Sequence, residues 1–350
     1  MTYEGEEPIE VNGKKVVAFK ESGTWTIPEG VTNVDVLVVA GGGGGGFRGG
    51  HDSGGGGGGA GGLVFESSHS VKDKTSIPLT IGAGGGVNDE DNGSDGGDST
   101  FDNITAIGGG GGARFDLDGN DGGSGGGAAG RNIEEGGSGG SGTDNQGNNG
   151  GSRNFVGDAG GAGGGGAGEA GSNIIDDPVG RPGGVGLNFA DIFGTNYGEI
   201  DNGDAWFAGG GGGGGSSLSG GSDGAGGKGG GGNGNDSATA NTGGGGGGGN
   251  RTSPNPGAGG SGIVIIRYRE PVTIKGKVTL NSNNIEGATV RLINSTTGSY
   301  VGDTLTDAQG EYEFKVESDT DDYHAMVEYE SGENKYHAVS YPFLKGGEDE

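Results

Sequence analysis

Between Lys14 and Ala40 the apolar residues come in three short groups. Val16, Val17, Ala18 and Phe19 form the first, Trp25 and Ile27 alternate with threonine in the second, and Val34 with Val36–Val39 makes a nearly continuous third. Short β-branched and aromatic runs parted by Pro28-Glu29-Gly30 predict strands joined by turns. Residues 263–268, IVIIRY, predict one more strand of high β-propensity. From Val272 onward the alternation is regular. VTIKGKVTL, GATVRLIN, YVGDTLTD, GEYEFKV and YHAMVEY are period-two segments divided by Asn, Gly and Asp. That pattern predicts an antiparallel β-sandwich, so the expected fold class is all-β.

Residues 41–262 follow neither period. They hold 87 of the 99 glycines, in near-pure runs at Gly41–Gly46, Gly54–Gly59, Gly108–Gly112, Gly209–Gly215 and Gly243–Gly249. Glycine adds no side chain to a core and loses the most backbone entropy on folding, which excludes an ordinary aliphatic enzyme core for most of the length. A collagen helix is excluded by the missing Gly-X-Y repeat and by only 9 Pro. A flexible linker is the usual fate of such sequence. Against it stand the flanking apolar strands, the length of the runs and the apolar islands among them, such as Ile77-Pro78-Leu79-Thr80-Ile81 and Ile104-Thr105-Ala106-Ile107. The ordered alternative is a bundle of extended threefold helices of about 3.1 Å rise per residue, bonded to each other through backbone N–H and C=O.

The blocks GTWTIPEGVTNVDVLVVAGGGGGG, GGAGGL, IPLTIGAGGG, GGDSTFDNITAIGGGGG and PGAGGSGIVIIRY occur in that order over residues 14–269. This order resembles the glycine-rich domain of phage tail-fibre and adhesin proteins. The resemblance implies a small β-domain framing a polyglycine-II bundle, with loops gathered at a receptor-binding tip; the long acidic insertions here depart from the pattern. The C-terminal order IKGKVTL, GATVRLIN, TDAQGEYEF resembles the carboxypeptidase-regulatory or transthyretin-like sandwich, which implies a spacer or docking module without catalytic residues. The expected organisation is an arm at 1–13, the glycine-rich domain at 14–269, the sandwich at 270–346 and an acidic tail at 347–350.

Charge changes the picture of partners. Lys and Arg number 20 against 48 Asp and Glu, a net charge of −28. Such a surface repels phosphate, which excludes nucleic acid as a partner. The excess is spread over the chain, as in proteins that live in concentrated salt where screening relieves self-repulsion. The N-terminus MTYEGEEPIEVNGKK has no basic and apolar leader pattern, and no run of about 18 apolar residues exists. The expectation is synthesis in a host cytoplasm without a signal peptide and no membrane insertion.

Little in the sequence carries chemistry. Cys is absent, and His51, His69, His324 and His337 stand at no metal-ligand spacing. No nucleophile and base are grouped, so no enzyme is expected. Asp89, Asp91, Asp95 and Asp98 share one loop, and Asp116, Asp118 and Asn120 alternate in another. Oxygen ligands so spaced suit Ca²⁺, although neither loop completes an EF-hand; a solvated acidic surface is the competing reading. Sequons at Asn92, Asn103, Asn235, Asn250 and Asn294 are expected to be accidental. Residues 172–207 gather Arg181, Phe189, Phe193, Tyr197, Trp206 and Phe207. Aromatics with Arg are preferred recognition anchors, or else they plug the small core beside the glycine zone.

Together these features predict a non-enzymatic virion protein, a tail fibre or adhesin of a virus of a halophilic archaeon, exposed on the particle. Its partners would be other virion proteins, copies of itself in a homo-oligomer, and a host cell-surface protein or glycan. The alternatives are a capsid decoration or turret protein without a receptor role, and a cell-surface adhesin.

Overall fold

The computed structural model describes residues 7–48, 53–88, 91–115, 117–130, 137–153, 159–175, 178–216, 221–250, 255–316, 322–331, 334–339 and 344–345. The chain is all-β, as its sequence predicts, with one helix of four residues among the described elements. It divides into two units. Residues 1–26, 34–69 and 74–267 form the first; residues 27–33, 70–73 and 268–350 form the second.

In the first unit the apolar groups become a five-stranded sheet. Its order is β1 (Ile9–Val11), β2 (Lys14–Phe19), β12 (Ile263–Tyr268), β4 (Asn33–Val39) and β5 (Leu63–Ser70). The strands before and after the glycine zone are therefore neighbours, antiparallel, with Ile263 opposite Val39 and Ile265 opposite Leu37. Unbroken Val and Ile runs suit a sheet covered on both faces, and Val36, Val38, Val264 and Ile266 are as buried as Leu37, Val39, Ile263 and Ile265. A second sheet orders β3 (Gly23–Thr26), β6 (Ser76–Thr80), β7 (Ser99–Phe101) and β8 (Ile104–Ala106). A third orders β10 (Glu199–Asp201), β11 (Asp204–Phe207) and β9 (Leu187–Asn188), beside α1 (Ala190–Phe193).

Between the strands, the glycine runs bond to one another with a period of three. Gly41 and Gly44 donate to the carbonyls of Gly97 and Ser94, Gly42 and Gly45 to Gly260 and Gly257, and Gly43 and Gly46 to Gly59 and Gly56, all at 2.8–3.0 Å. The carbonyls of the same run accept from Gly109 and Gly112, from Gly246 and Gly249, and from Gly85. The run 54–62 repeats the rule: residues 54, 57 and 60 donate to 159, 162 and 165, while 55, 58 and 61 donate to 249, 246 and 243. Three residues per turn is the period of an extended threefold helix. Each run thus reaches neighbours on several sides, whereas a β-strand reaches two. Close approach requires the missing Cβ, since a methyl at Gly58 would collide with the Gly43 carbonyl and one at Gly45 with that of Gly247.

In the second unit β13 (Val272–Lys277) pairs with β18 (Glu311–Val316), and β14 (Thr279–Leu280) with β15 (Asn283–Asn284). A larger sheet orders β17 (Tyr300–Leu305), β16 (Thr289–Asn294), β19 (Asp322–Ser331) and β20 (Asn334–Val339), with β21 (Leu344–Lys345) also on β19. Ile274, Phe314 and Val316 from the β13–β18 pair meet Val290, Leu292, Tyr323 and Ala325 from the larger sheet in one core. Asn281 and Ser282 turn the β14–β15 hairpin with φ of 53° and 65°, the left-handed pair that a two-residue type I′ turn needs.

Candidate functional site

The runs have a strand end and a loop end. Ala40 follows β4, Gly62 precedes β5 and Gly262 precedes β12, so these residues mark the strand end. Gly46 and Gly249 lie at the far end of their runs and bond to each other at 3.0 Å. Function depends on which side chains stand at each end and along the flanks.

The flanks are sealed by side-chain oxygens. Oδ1 of Asn92, Asp95 and Asp98 accepts from the N–H of Arg114, Gly111 and Gly108, each at 2.8 Å. The acceptors are three residues apart and so are the donors, so each carboxyl or amide oxygen replaces a carbonyl that a further run would have supplied. Asp118 and Asp121 do the same for Ser138 and Ser141 at 2.6 Å. Asp223 does so for Gly215 at 2.8 Å. Without such acceptors these N–H groups at the bundle's edge would lack partners.

This accounts for the acidic residues singled out above as calcium ligands. Asp95, Asp98 and Asp118 spend Oδ1 on backbone N–H groups, and Asp91 accepts from the N–H of Asn92 at 2.8 Å. Asn120 lies between Asp95 and Asn92, donating to the first at 2.8 Å and accepting from the second at 2.7 Å. The structure therefore brings Asn92, Asp95, Asp118 and Asn120 together as a hydrogen-bonded mesh. Among the described residues no three His, Cys, Asp or Glu side chains converge on a metal-sized gap. Asp89 and Asp116 lie outside the described residues.

The group at 172–207 is split between the two ends. Phe193, Tyr197 and Phe207 are buried in the core that backs the five-stranded sheet, with Val16, Leu37, Leu63 and Ile265. Phe189 packs on its margin, 5.4 Å from the ring of Phe65 and 6.5 Å from that of Phe207. This corrects the expectation of an aromatic contact surface for those three residues, because rings already enclosed in a core cannot also meet a partner. The region sits at the strand end, where the N–H of Ala208 bonds to Thr242 at 2.8 Å. Arg181 instead belongs to the loop end. Its N–H donates to Gly161, which bonds to Gly214, which bonds to Gly55 and so through Gly249 to Gly46. Its Nε donates to the Val179 carbonyl at 3.1 Å. Six residues of extended chain, roughly 19 Å at 3.1 Å each, part it from Leu187.

Trp206, half-buried like Phe189, differs from it in facing polar groups. The Lys228 ammonium lies 5.4 Å above its ring and 2.7 Å from Asp201. The hydrogen bond to Asp201 raises the Lys228 ammonium above its usual value. On the same sheet Glu199 Oε2 accepts from the N–H groups of Gly229 and Gly230 at 2.6 and 2.7 Å.

The sequence profile of the glycine-rich domain family matches residues 18–269. The chain belongs to that family. Among curated proteins none matches the sequence. The match begins inside β2 and ends just past β12, so it covers the framing strands as well as the runs between them.

Within the glycine-rich domain two further polar groups escaped sequence reasoning. Asp35, on the five-stranded sheet, accepts from Arg267 at 2.8 and 3.0 Å, from Lys14 at 3.2 Å and from the Ser68 N–H at 3.1 Å. His69 is buried with Nε2 2.9 Å from Asp102 and Nδ1 3.3 Å from Glu66, and Lys74 bonds to the same Asp102 carboxyl. The hydrogen bond from Lys74, aided by His69, holds the Asp102 carboxyl below its usual range against a smaller effect of burial. Outside the domain, His324 Nδ1 lies 2.8 Å from the Ser295 hydroxyl and His337 Nδ1 3.8 Å from Glu328. His51 lies outside the described residues. No described helix is long and apolar enough to cross a membrane.

Proposed function

We propose that the chain is a non-enzymatic structural and attachment component of a virion, a tail fibre or adhesin of a virus of a halophilic archaeon. The observation that carries this reading is the three-residue bonding period of the glycine runs, set between strands in the block order of phage adhesins. Such a scaffold is stiff because most of its cohesion is backbone hydrogen bonding, each bond worth about 0.5–1.5 kcal/mol net. It is read as a polyglycine-II bundle that offers its loops at one end, with a transthyretin-like sandwich as the docking module. Several copies on one particle would sum weak contacts into avidity. The −28 charge fits a surface dissolved in concentrated salt.

One observation favours a second reading, capsid decoration without a receptor role. Burial of Phe193, Tyr197 and Phe207 withdraws the aromatic anchors that a contact surface would use. Adsorption competition separates the two. Purified protein added in excess should block particle adsorption to host cells if the chain is an adhesin. Labelled protein on capsids with unimpeded adsorption would establish the decoration reading, and absence of the chain from purified particles would end both.

A further inference from the structure

Among the described residues every arginine but two has a partner. Arg267 and Arg291 hold Asp35 and Asp303, Arg181 donates to the Val179 carbonyl, and Arg153 and Arg269 also interact within the chain. The guanidinium groups of Arg48 and Arg114 make no ion pair or hydrogen bond there. With 48 Asp and Glu against 20 Lys and Arg, an unpaired guanidinium is the unexpected state in this chain. Asp91, Asp95 and Asp118, which stand near Arg114, already accept backbone N–H groups.

The two arginines share one corner of the loop end. Gly46 donates to the Gly56 carbonyl at 2.8 Å and Gly56 to that of Ala113 at 3.0 Å, so the runs ending at Gly46 and Ala113 lie side by side. A methyl on Gly46 would collide with the Ala113 carbonyl. Arg48 follows the first run by two residues and Arg114 the second by one. The run ending at Gly86 adjoins them, since Gly44 and Gly86 both bond to Ser94. It brings Val87, which is 52% exposed. Leu117, 39% exposed, is turned back by a bond from its N–H to the Arg114 carbonyl at 2.9 Å. Nη1 of Arg48 and Nε of Arg114 are buried without a hydrogen-bond partner, although each residue is only half-buried. A guanidinium shut off from water on one side attracts an anion on its open side more strongly than a fully hydrated one. Phe115, next to Arg114, has φ of 55°, a costly conformation for a bulky residue and of the kind that gathers at ligand clamps.

We propose that this corner docks an acidic polypeptide segment, whose carboxylates bond to Arg48 and Arg114 while its apolar side chains cover Val87 and Leu117. The planar guanidinium matches the two oxygens of a carboxylate. Arginine beside apolar side chains is the make-up of protein contact surfaces. The exposed aliphatic side chains favour a polypeptide over a saccharide, which has few apolar groups to lay on them. The inference rests on the reading of the loop end as the contact surface, and it adds the chemistry of the partner.

The test measures binding of labelled peptides to the full chain at about 1 M KCl, where screening acts beyond about 3 Å and the −28 charge no longer repels an acidic probe. A peptide of Asp and Leu should bind, one of Asp and Ser should bind more weakly, and one of Lys and Leu should not bind. Arg48→Gln and Arg114→Gln should each weaken the Asp-Leu peptide about tenfold or more. Neither should lower the melting temperature, because neither guanidinium bonds to the rest of the fold. Lys228→Gln, at the strand end, should leave the affinity as it is. Unchanged affinity in both arginine variants overturns the proposal, as does a uronic-acid oligosaccharide that binds more tightly than the Asp-Leu peptide. Absence of any peptide binding overturns it too, and purified chain that still blocks particle adsorption would then leave the attachment reading standing.

Discussion

Arg267 stands directly opposite Asp35 in the ladder between the strands that open and close the glycine-rich domain. Its guanidinium holds the Asp35 carboxylate through Nη2 at 2.8 Å and Nε at 3.0 Å, and its Nη1 donates to the Ile192 carbonyl at 2.9 Å. The two residues are 232 positions apart in sequence. One ion pair thus fastens the first framing strand to the last and ties in the helix α1.

Breaking that pair should be expensive. Asp35 is 8% exposed, and removal of one member leaves a buried charge uncompensated, at a typical loss of about 3–5 kcal/mol. Asp35→Asn should lower the denaturant midpoint at neutral pH by an amount in that range. Burial pushes the Asp35 carboxyl up, but the hydrogen bonds from Arg267, Ser68 and Lys14 outweigh it and hold the carboxyl below its ordinary 3.8. A carboxyl depressed in the folded state contributes stability that is complete above the unfolded-state value and fades as pH falls through the folded one. The gap between wild type and Asp35→Asn should therefore narrow in acid, below about pH 4. A gap that stays constant down to acid unfolding contradicts the assignment.

Glycine positions should divide sharply by what surrounds them. A Cβ at Gly58 would strike the Gly43 carbonyl, whereas one at Gly86 would meet nothing. Gly58→Ala should destabilise by about 1–3 kcal/mol or more, as overpacking does. Gly86→Ala should be neutral or gain about 0.4–1 kcal/mol from a less flexible unfolded chain. Equal effects in thermal melts would mean that the runs are not packed against each other.

Asp95 and Asp98 separate edge sealing from metal binding. Asp95→Ala would orphan the buried N–H of Gly111 at about 1–3 kcal/mol, whereas Asp95→Asn keeps an acceptor oxygen and should lose less. Calcium should change neither the wild-type melting temperature nor the heat of titration. A calcium-dependent rise in melting temperature that Asp95→Asn abolishes would favour the metal site over edge sealing.

The aromatic residues give a similar contrast. Phe193→Ala and Phe207→Ala should each cost about 3–5 kcal/mol, as core aromatic truncations do. Trp206→Ala should cost less than either, because its ring is only half-buried and one of its faces meets the exposed Lys228 ammonium. Chemical denaturation followed by circular dichroism measures all three.

Much of this fold was legible before the structure. The unbroken Val36–Val39 and IVIIRY runs marked strands, whose burial on both faces the structure adds, and the alternation after Val272 marked the sheets of the second unit. The Asp35–Arg267 pair was hidden because each residue reads as a lone charge in an apolar strand until the register is known. Asn92, Asp95 and Asp98 did carry a signal, their spacing of three, which fits a threefold helix better than a chelating loop. Phe193, Tyr197 and Phe207 could not be sorted from Trp206 by composition, since core and surface aromatics differ only in what packs on them. The units also interleave in sequence, with 27–33 and 70–73 joining the second, which no change of composition marks.

The central claim is that the glycine runs are an ordered, mutually bonded framework, and native-state hydrogen exchange tests it most directly. Peptides covering 41–46, 54–62 and 243–249 should exchange as slowly as those of β4 and β12, near the rate set by global unfolding. Exchange of those glycine amides at the free rate of an unstructured chain, while β4 stays protected, would contradict the account.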